Sequence, residues 1–371
     1  MALSPQYSWP EPDNSSLVKN GAQDIRALGD AIDTSVWNVG FGQAGKNKII
    51  NGDFAINQRA FTTTTTSATF GFDRFRYTYT GGTATYSAQT FTPGAAPVAG
   101  YEAANFARLV TTGQSAVGDF CYLIQTIEDV RTFAGQTATV SFWAKASTGT
   151  PNVGISLEQV FGSGGSALVI VNGGVKAITT SWTRYSVTVA VPSISGKTIG
   201  TSSRLALGLF TSAGTSISGA GYPAVGIQNA TIDFWGVQVE YGSKATPFQT
   251  ASGGSPQAEL AMCQRYYYLL ASGTGKPIAN GNNNSATLMR AVIPFMVTMR
   301  TDPSLVASSG TDFYQYRCSA SADVFNSLTL GDISTNAISV FNNTEISGVA
   351  GQGGMIVTNN AAASVAFNAE L

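Results

Sequence analysis

The residues of this chain best equipped for chemistry are aromatic rings on the outward phase of β-patterned runs. A flat ring covers the apolar face of a sugar while polar neighbours bond its hydroxyls. Trp143 and Trp182 have this placement mid-chain, and Tyr266, Tyr268, Tyr314 and Tyr316 have it in the last third. For each ring the competing role is packing, in a core or between protomers. The runs from Asn280 to Asn284 and at Asn342-Asn343 add amide-rich loops, and loops are where variable contacts are carried.

Catalytic constellations are scarce. The chain has no histidine, so Ser-His-Asp and Cys-His chemistry and His-ligated zinc are excluded. An enzyme would need carboxylates alone. Glu128 and Asp129 are adjacent, and neighbours on a strand face opposite sides, which separates them as an acid–base pair. Asp73, Glu102, Glu158 and Glu240 stand isolated. Cys121, Cys263 and Cys318 are odd in number and far apart, which excludes a CxxC metal knuckle and favours buried free thiols. The expectation is a non-catalytic protein without a cofactor.

The elements that must position these side chains are strands. Charged residues are 11% of the 371-residue chain, well under the roughly 25% usual for globular domains. With 41 glycines and many threonines, this reads as all-β with many turns. Net charge is −1 without a basic run, so nucleic acid is not an expected partner. No run approaches the roughly 20 apolar residues of a membrane span. Met1 to Pro5 carries no secretory pattern, so synthesis in a cytoplasm and release by a route such as lysis are expected.

Residues 1–13 hold three prolines beside Tyr7 and Trp9. They form either a tail or an extended strap anchored on a larger body by those two rings. Residues 14–39 predict a helix, capped by Asp13 or Asn14. Val18, Ile25, Ile32 and Val39 fall seven apart, with Leu28 at the matching second position. That heptad seam is too short to stand alone in water, so it packs on the next domain or against copies of itself. Period-two runs then follow from residue 47 to about 249. They include Phe75-Tyr77-Tyr79, Val140-Phe142-Ala144, Val153-Ile155-Leu157, Tyr185-Val187-Val189 and Leu205-Leu207-Leu209. Asn51-Gly52-Asp53 predicts a tight turn, and the phase break at Trp235-Gly236 predicts a β-bulge. Residues 250–257 read as a linker. A smaller sandwich follows, with Pro294 at an edge or bulge.

Particular stretches resemble a known family. "IINGDFAINQR" (residues 49–59) with "FDRF" (residues 72–75), and "FWGVQVEYGSKATPFQ" (residues 234–249), resemble the opening and closing strands of a jelly-roll module of bacteriophage tail fibres. That module is similar to carbohydrate-binding modules. "PEPDNSSLVKNGAQDIRALGDAID" (residues 10–33) resembles the N-terminal segment of phage minor tail proteins and fibres, and Cys263-Gln264-Arg265-Tyr266-Tyr267 with "VIPFMVTMRTDPSLV" (residues 292–306) resembles their distal tip. The resemblance implies three parts: an arm and short trimeric coiled-coil helix at 1–46, a jelly-roll β-sandwich at 47–250 and a smaller C-terminal β-sandwich tip at 251–371. It implies a homotrimeric receptor-binding protein in the virion tail. Its arm would join other tail or baseplate proteins, and the fibre would attach to a host surface glycan or protein. It also implies weak calcium candidates in Asp53 and Asp233, where Asp53 alternatively caps its turn. A structural decoration fibre without a receptor is the alternative, followed by a carboxylate-only depolymerase. Such depolymerases usually build on a parallel β-helix, and the chain shows no repeat of that kind.

Overall fold

The computed structural model describes residues 2–3, 9–11, 17, 20–39, 45–318 and 321–371. The chain is mainly β. A two-residue ladder pairs Ala2–Leu3 with Pro10–Glu11, and the helix Gly21–Val39 packs beside the latter. The described helix begins at Gly21, later than expected, and the cap candidates Asp13 and Asn14 lie outside the described residues. A turn closed by the Asn20 N–H on the Leu17 carbonyl comes first, because Asn and Gly favour turn over helix here. On the heptad seam Ile25 is exposed while Leu28 and Ile32 are half-buried. Tyr7, Val18 and the side chain of Val39 lie outside the described residues, and Trp9 is half-buried.

Two six-stranded antiparallel sheets make the first sandwich. One runs Val169–Ala177, Asn152–Val160, Arg204–Ala213, Phe120–Ile127, Arg76–Thr80, Thr69–Phe70. The other runs Thr183–Ala190, Thr137–Ala146, Ala230–Tyr241, Asn105–Thr112, Thr83–Thr90, Thr63–Thr64. Each strand sends its apolar phase inward, so Tyr77, Phe142, Ile155, Leu207 and Phe234 share one core. The bulge falls where the phase breaks. The register of Ala230–Tyr241 against Thr137–Ala146 shifts between Trp235 and Gln238, and Gly236 takes a φ of +63°.

The turn at Asn51 to Asp53 locks the opening of the domain onto its closing strand. The Val237 N–H donates to the Gly52 carbonyl at 2.9 Å. A Cβ on Gly52 would stand 2.1 Å from the Val237 carbonyl oxygen, so the approach requires glycine. Asn47 Oδ1 accepts from the Val239 N–H at 3.0 Å, and its Nδ2 donates to the Val237 carbonyl at 3.1 Å.

Residues 250–257 are not a free linker. Thr250, Ala251 and Ser252 are buried, and Ser255 caps the helix Pro256–Gln264. Composition hid this helix because its Ser-Pro start reads equally as a turn. Glu259 accepts from the Asn51 N–H at 2.5 Å and from the Ser252 N–H at 2.8 Å, so the helix is tied to the first sandwich. The second sandwich sets a three-stranded sheet (Tyr267–Ser272, Ser364–Asn368, Ser304–Ala307) on a seven-stranded one running from Ser321–Phe325 to Thr329–Ile333. Pro294 is not on an edge strand. It ends Leu288–Pro294, which lies between two neighbours, and a strand's last residue tolerates the lost N–H. Cys121 and Cys263 are buried thiols, whereas Cys318 is only partly covered.

Candidate functional site

Most of the aromatic residues singled out by spacing face inward. Tyr314 and Tyr316 occupy the core phase of Tyr314–Cys318 and are fully buried. Their hydroxyls donate to the Ser308 carbonyl at 2.7 Å and the Gln352 carbonyl at 2.9 Å. Tyr268 is packed in the distal core between Phe295 and Phe367. Tyr266 is buried under the Arg74 guanidinium, 3.3 Å from ring centroid to Cζ. These four cannot meet a ligand at the surface, because alternation fixed only that they share a face, not which face is wet. Trp143 lies on the outer side of its sheet but packs against the bulge at Gly236. Trp182 does reach the surface. It touches Phe91 and Phe106, with Lys145 Nζ 5.3 Å over its ring.

The two carboxylates considered for calcium are engaged elsewhere. Arg108 grips Asp233 through two nitrogens at 2.6 and 2.9 Å, and Lys145 stands 3.6 Å away. Two cations already neutralise that carboxylate, which contradicts a role as a calcium ligand. Asp53 accepts from the Tyr101 hydroxyl at 2.7 Å, and burial pushes its carboxyl above the usual range. Asp53 and Ala55 also share a weak turn bond.

A different set of residues converges on the outer face of the first six-stranded sheet. Inward Cys121 and Leu123 leave Tyr122 outward, and inward Leu205, Leu207 and Leu209 leave Ala206, Gly208 and Phe210 outward. Tyr122 and Phe210 are cross-strand partners, and their rings stack at 4.6 Å and 20°. Phe120 extends the row on one side at 5.5 Å and Tyr222 on the other at 5.2 Å. Phe120, Tyr122 and Tyr222 are half-buried and expose ring edge, whereas Phe210 is buried between them in a small apolar cluster with Ala213, Val225 and Ile217. Gly208 makes the floor: a Cβ there would come within 3.0 Å of the Phe210 ring and 2.7 Å of Ser156 Oγ.

Glu158 stands beside this row on the neighbouring strand, paired across from Ala206. Its carboxyl is buried, which pushes it above the usual carboxylate range. The Tyr222 and Ser156 hydroxyls and the more distant Arg204 and Arg76 pull the other way. Burial, then the nearby Glu158 charge, raises both Tyr122 and Tyr222. Neither Arg76 nor Arg204 is in an ion pair within 4.0 Å among the described residues. The face thus exposes parts of the Phe120, Tyr122 and Tyr222 rings, with Phe210 and the Glu158 carboxyl buried among them and two guanidiniums nearby that hold no ion pair of their own within 4.0 Å among the described residues. A planar apolar platform with convergent hydrogen-bonding groups can hold a pyranose. The signal was present in the sequence. The off-phase residues of the Leu205-Leu207-Leu209 and Cys121-Leu123 runs are the site, but Tyr222 comes from a loop that periodicity does not place.

No family model and no curated protein sequence matches the chain. Solved structures give faint likenesses. The enzymatically active domain of tailspike protein 4 of bacteriophage CBA120 aligns over 53% of this chain and 22% of its own length, at 15% identity and a TM-score of 0.32. The chain thus spans about a fifth of that tailspike domain. The family 11 carbohydrate-binding module from Clostridium thermocellum, solved with a mixed-linked tetrasaccharide, aligns over 50% of this chain and 99% of its own, at 8% identity and 0.31. A cyclase from Fischerella sp. TAU aligns over 54% and 99%, at 14% identity and 0.36. At such scores the likenesses assign neither fold nor ligand.

Proposed function

We propose that this chain is a non-catalytic adhesin of the phage tail-fibre kind, which holds a host surface glycan on the Tyr122–Phe210–Tyr222 face of its first sandwich. The observation that carries this reading is the pair of partly exposed tyrosine rings, Tyr122 and Tyr222, packed on Phe210 beside the Glu158 carboxyl, with Arg76 and Arg204 nearby and in no ion pair within 4.0 Å among the described residues. Partly exposed aromatic rings beside hydrogen-bonding groups are a common way to hold a sugar. The sequence resemblance to tail fibres supports the setting: attachment to the virion tail through the N-terminal arm, action outside the cell, and a trimer. The exposed Ile25 on the heptad seam supports the trimer, since an apolar seam in water gains by packing against copies. Three weak sites on one trimer then act by avidity.

The test is binding of the labelled whole protein to host cells, together with a reducing-sugar assay on the same surface polysaccharide. The reading expects saturable binding that free polysaccharide competes away, with no sugar released. Binding that persists after the surface polysaccharide is stripped, or release of reducing ends, would overturn it.

A further inference from the structure

We infer that the outer face of the other six-stranded sheet carries a further binding site, which takes a carboxylated sugar of the hexuronic acid class. Trp182 meets the sugar ring, and Lys145 and Arg108 take its carboxylate. The site shares no residue with the Tyr122 face, so it goes beyond the reading above and does not rest on it.

These side chains meet because one row crosses the sheet. On Ala230–Tyr241, Asp233 is paired with Arg108 on one side and with Lys145 on the other. Inward Ile232 and Phe234 leave Asp233 outward, and inward Ala107, Leu109, Ala144 and Ala146 do the same for Arg108 and Lys145. Thr183 pairs with Ala144, which sets the preceding Trp182 beside Lys145. Phe91 and Phe106 wall the row, their ring centroids 5.5 and 5.4 Å from that of Trp182. Phe106 is buried, whereas Trp182 and Phe91 are half-buried and keep part of each ring in water.

The row keeps donors to spare, and they are the part that water reaches. Arg108 spends Nε and Nη2 on Asp233, and its Nη1 bonds no acceptor among the described residues. Lys145 Nζ stands 3.6 Å from Asp233, beyond hydrogen-bond reach, and 5.3 and 5.9 Å from the ring centroids of Trp182 and Phe106. The Arg108 and Lys145 side chains are 32% and 31% exposed, whereas that of Asp233 is 3% exposed. Solvent therefore meets the two cations and not the carboxylate between them, and the group carries one positive charge in excess. A ligand carboxylate would accept charge-assisted bonds from Nη1 and Nζ. A phosphate would use the cations and leave the rings idle, and a neutral sugar would use the rings alone. A hexuronic acid satisfies both, with a pyranose face for Trp182 and a carboxylate on the same ring.

The experiment is calorimetric titration of the whole protein with tetragalacturonate and, separately, with its fully methyl-esterified form, which keeps the sugar rings and removes the charge. Wild type is expected to bind the acid at least about tenfold more tightly than the ester, the difference that charge-assisted bonds make. Added salt narrows that gap, because the cations are exposed. Lys145→Met keeps the apolar stem beside the rings, removes the ammonium and leaves Asp233 on Arg108, so the preference for the acid falls to a small fraction of its wild-type size. Trp182→Ala weakens both ligands, and where it does not fold, Lys145→Met decides alone. Equal affinity of wild type for acid and ester, or a preference that Lys145→Met leaves intact, overturns the site. A preference that disappears in Tyr122→Ala and survives Lys145→Met places the anion on the first sheet and overturns it equally, so the two faces are judged separately.

Discussion

Arg74 lies flat on the ring of Tyr266, and its Nη1 donates to the carboxylate of Glu370. One residue of the first sandwich thereby holds both ends of the second, its start at Tyr266 and its last turn at Glu370. Arg59 repeats the arrangement, stacked on Tyr267 at 3.7 Å and paired with Asp73 at 3.0 Å and Glu370 at 3.2 Å. Both arginines sit in or beside stretches that sequence reading marked, yet neither contact was visible there. Glu370 is about 300 residues away, and no local pattern announces such a pairing.

Removing one partner of this buried cluster strands the other charges. Arg74→Ala is expected to lower stability by about 3 kcal/mol, the usual cost of breaking a buried pair. Thermal denaturation followed by circular dichroism measures it. A midpoint within a degree or two of wild type would mean that the junction does not hold the sandwiches together.

The glycine at the domain's opening turn is a sharper case. Gly52→Ala places a Cβ 2.1 Å from the Val237 carbonyl oxygen, a clash that backbone cannot avoid without moving the closing strand. The expected cost is about 2–4 kcal/mol, read from urea unfolding. A neutral substitution would show that the turn is looser than its hydrogen bonds indicate.

Period-two runs located the strands, and the phase break at Trp235-Gly236 located the bulge, because both are local consequences of side chains alternating between core and water. The helix Pro256–Gln264 was missed, since its packing on Asn51 and Ser252 is what makes it a helix rather than a turn. The ring candidates fared worst. Tyr314 and Tyr316 alternate as cleanly as Tyr122, but burial of a face depends on the opposing sheet. Glu158 stands isolated in the sequence, because its neighbours Tyr122, Phe210 and Tyr222 come from two other strands and a loop.

Glu158 gives the site a pH signature. Burial raises its folded-state pKa above the usual carboxylate value. The neutral form is therefore favoured by folding, and the stability it contributes is fully present below the unfolded pKa and lost as pH rises through the folded one. Glu158→Gln is expected to remove that slope and to raise stability at neutral pH, while weakening sugar binding several-fold. Denaturation midpoints across the acid range check it. An unchanged slope would show that Glu158 is better hydrated than its surroundings suggest.

The helix carries the assembly claim. If the seam of Ile25, Leu28 and Ile32 joins three copies, Ile25→Asp with Leu28→Asp lowers the solution mass from three times the 38.5 kDa chain mass toward one chain, unless the sandwiches also associate. Light scattering after size exclusion reads this directly. A wild-type protein that runs as a single chain would remove the trimer and the avidity that depends on it.

The central claim is that Tyr122 and its ring partners hold sugar. Titrating purified host surface glycan into wild type and into Tyr122→Ala/Tyr222→Ala, with folding verified by circular dichroism, tests it most directly. Loss of stacking on two rings should weaken binding by at least about tenfold, from the roughly 1 kcal/mol or more that such aromatic contacts contribute. Equal affinity in the folded double variant would contradict the assignment of this face.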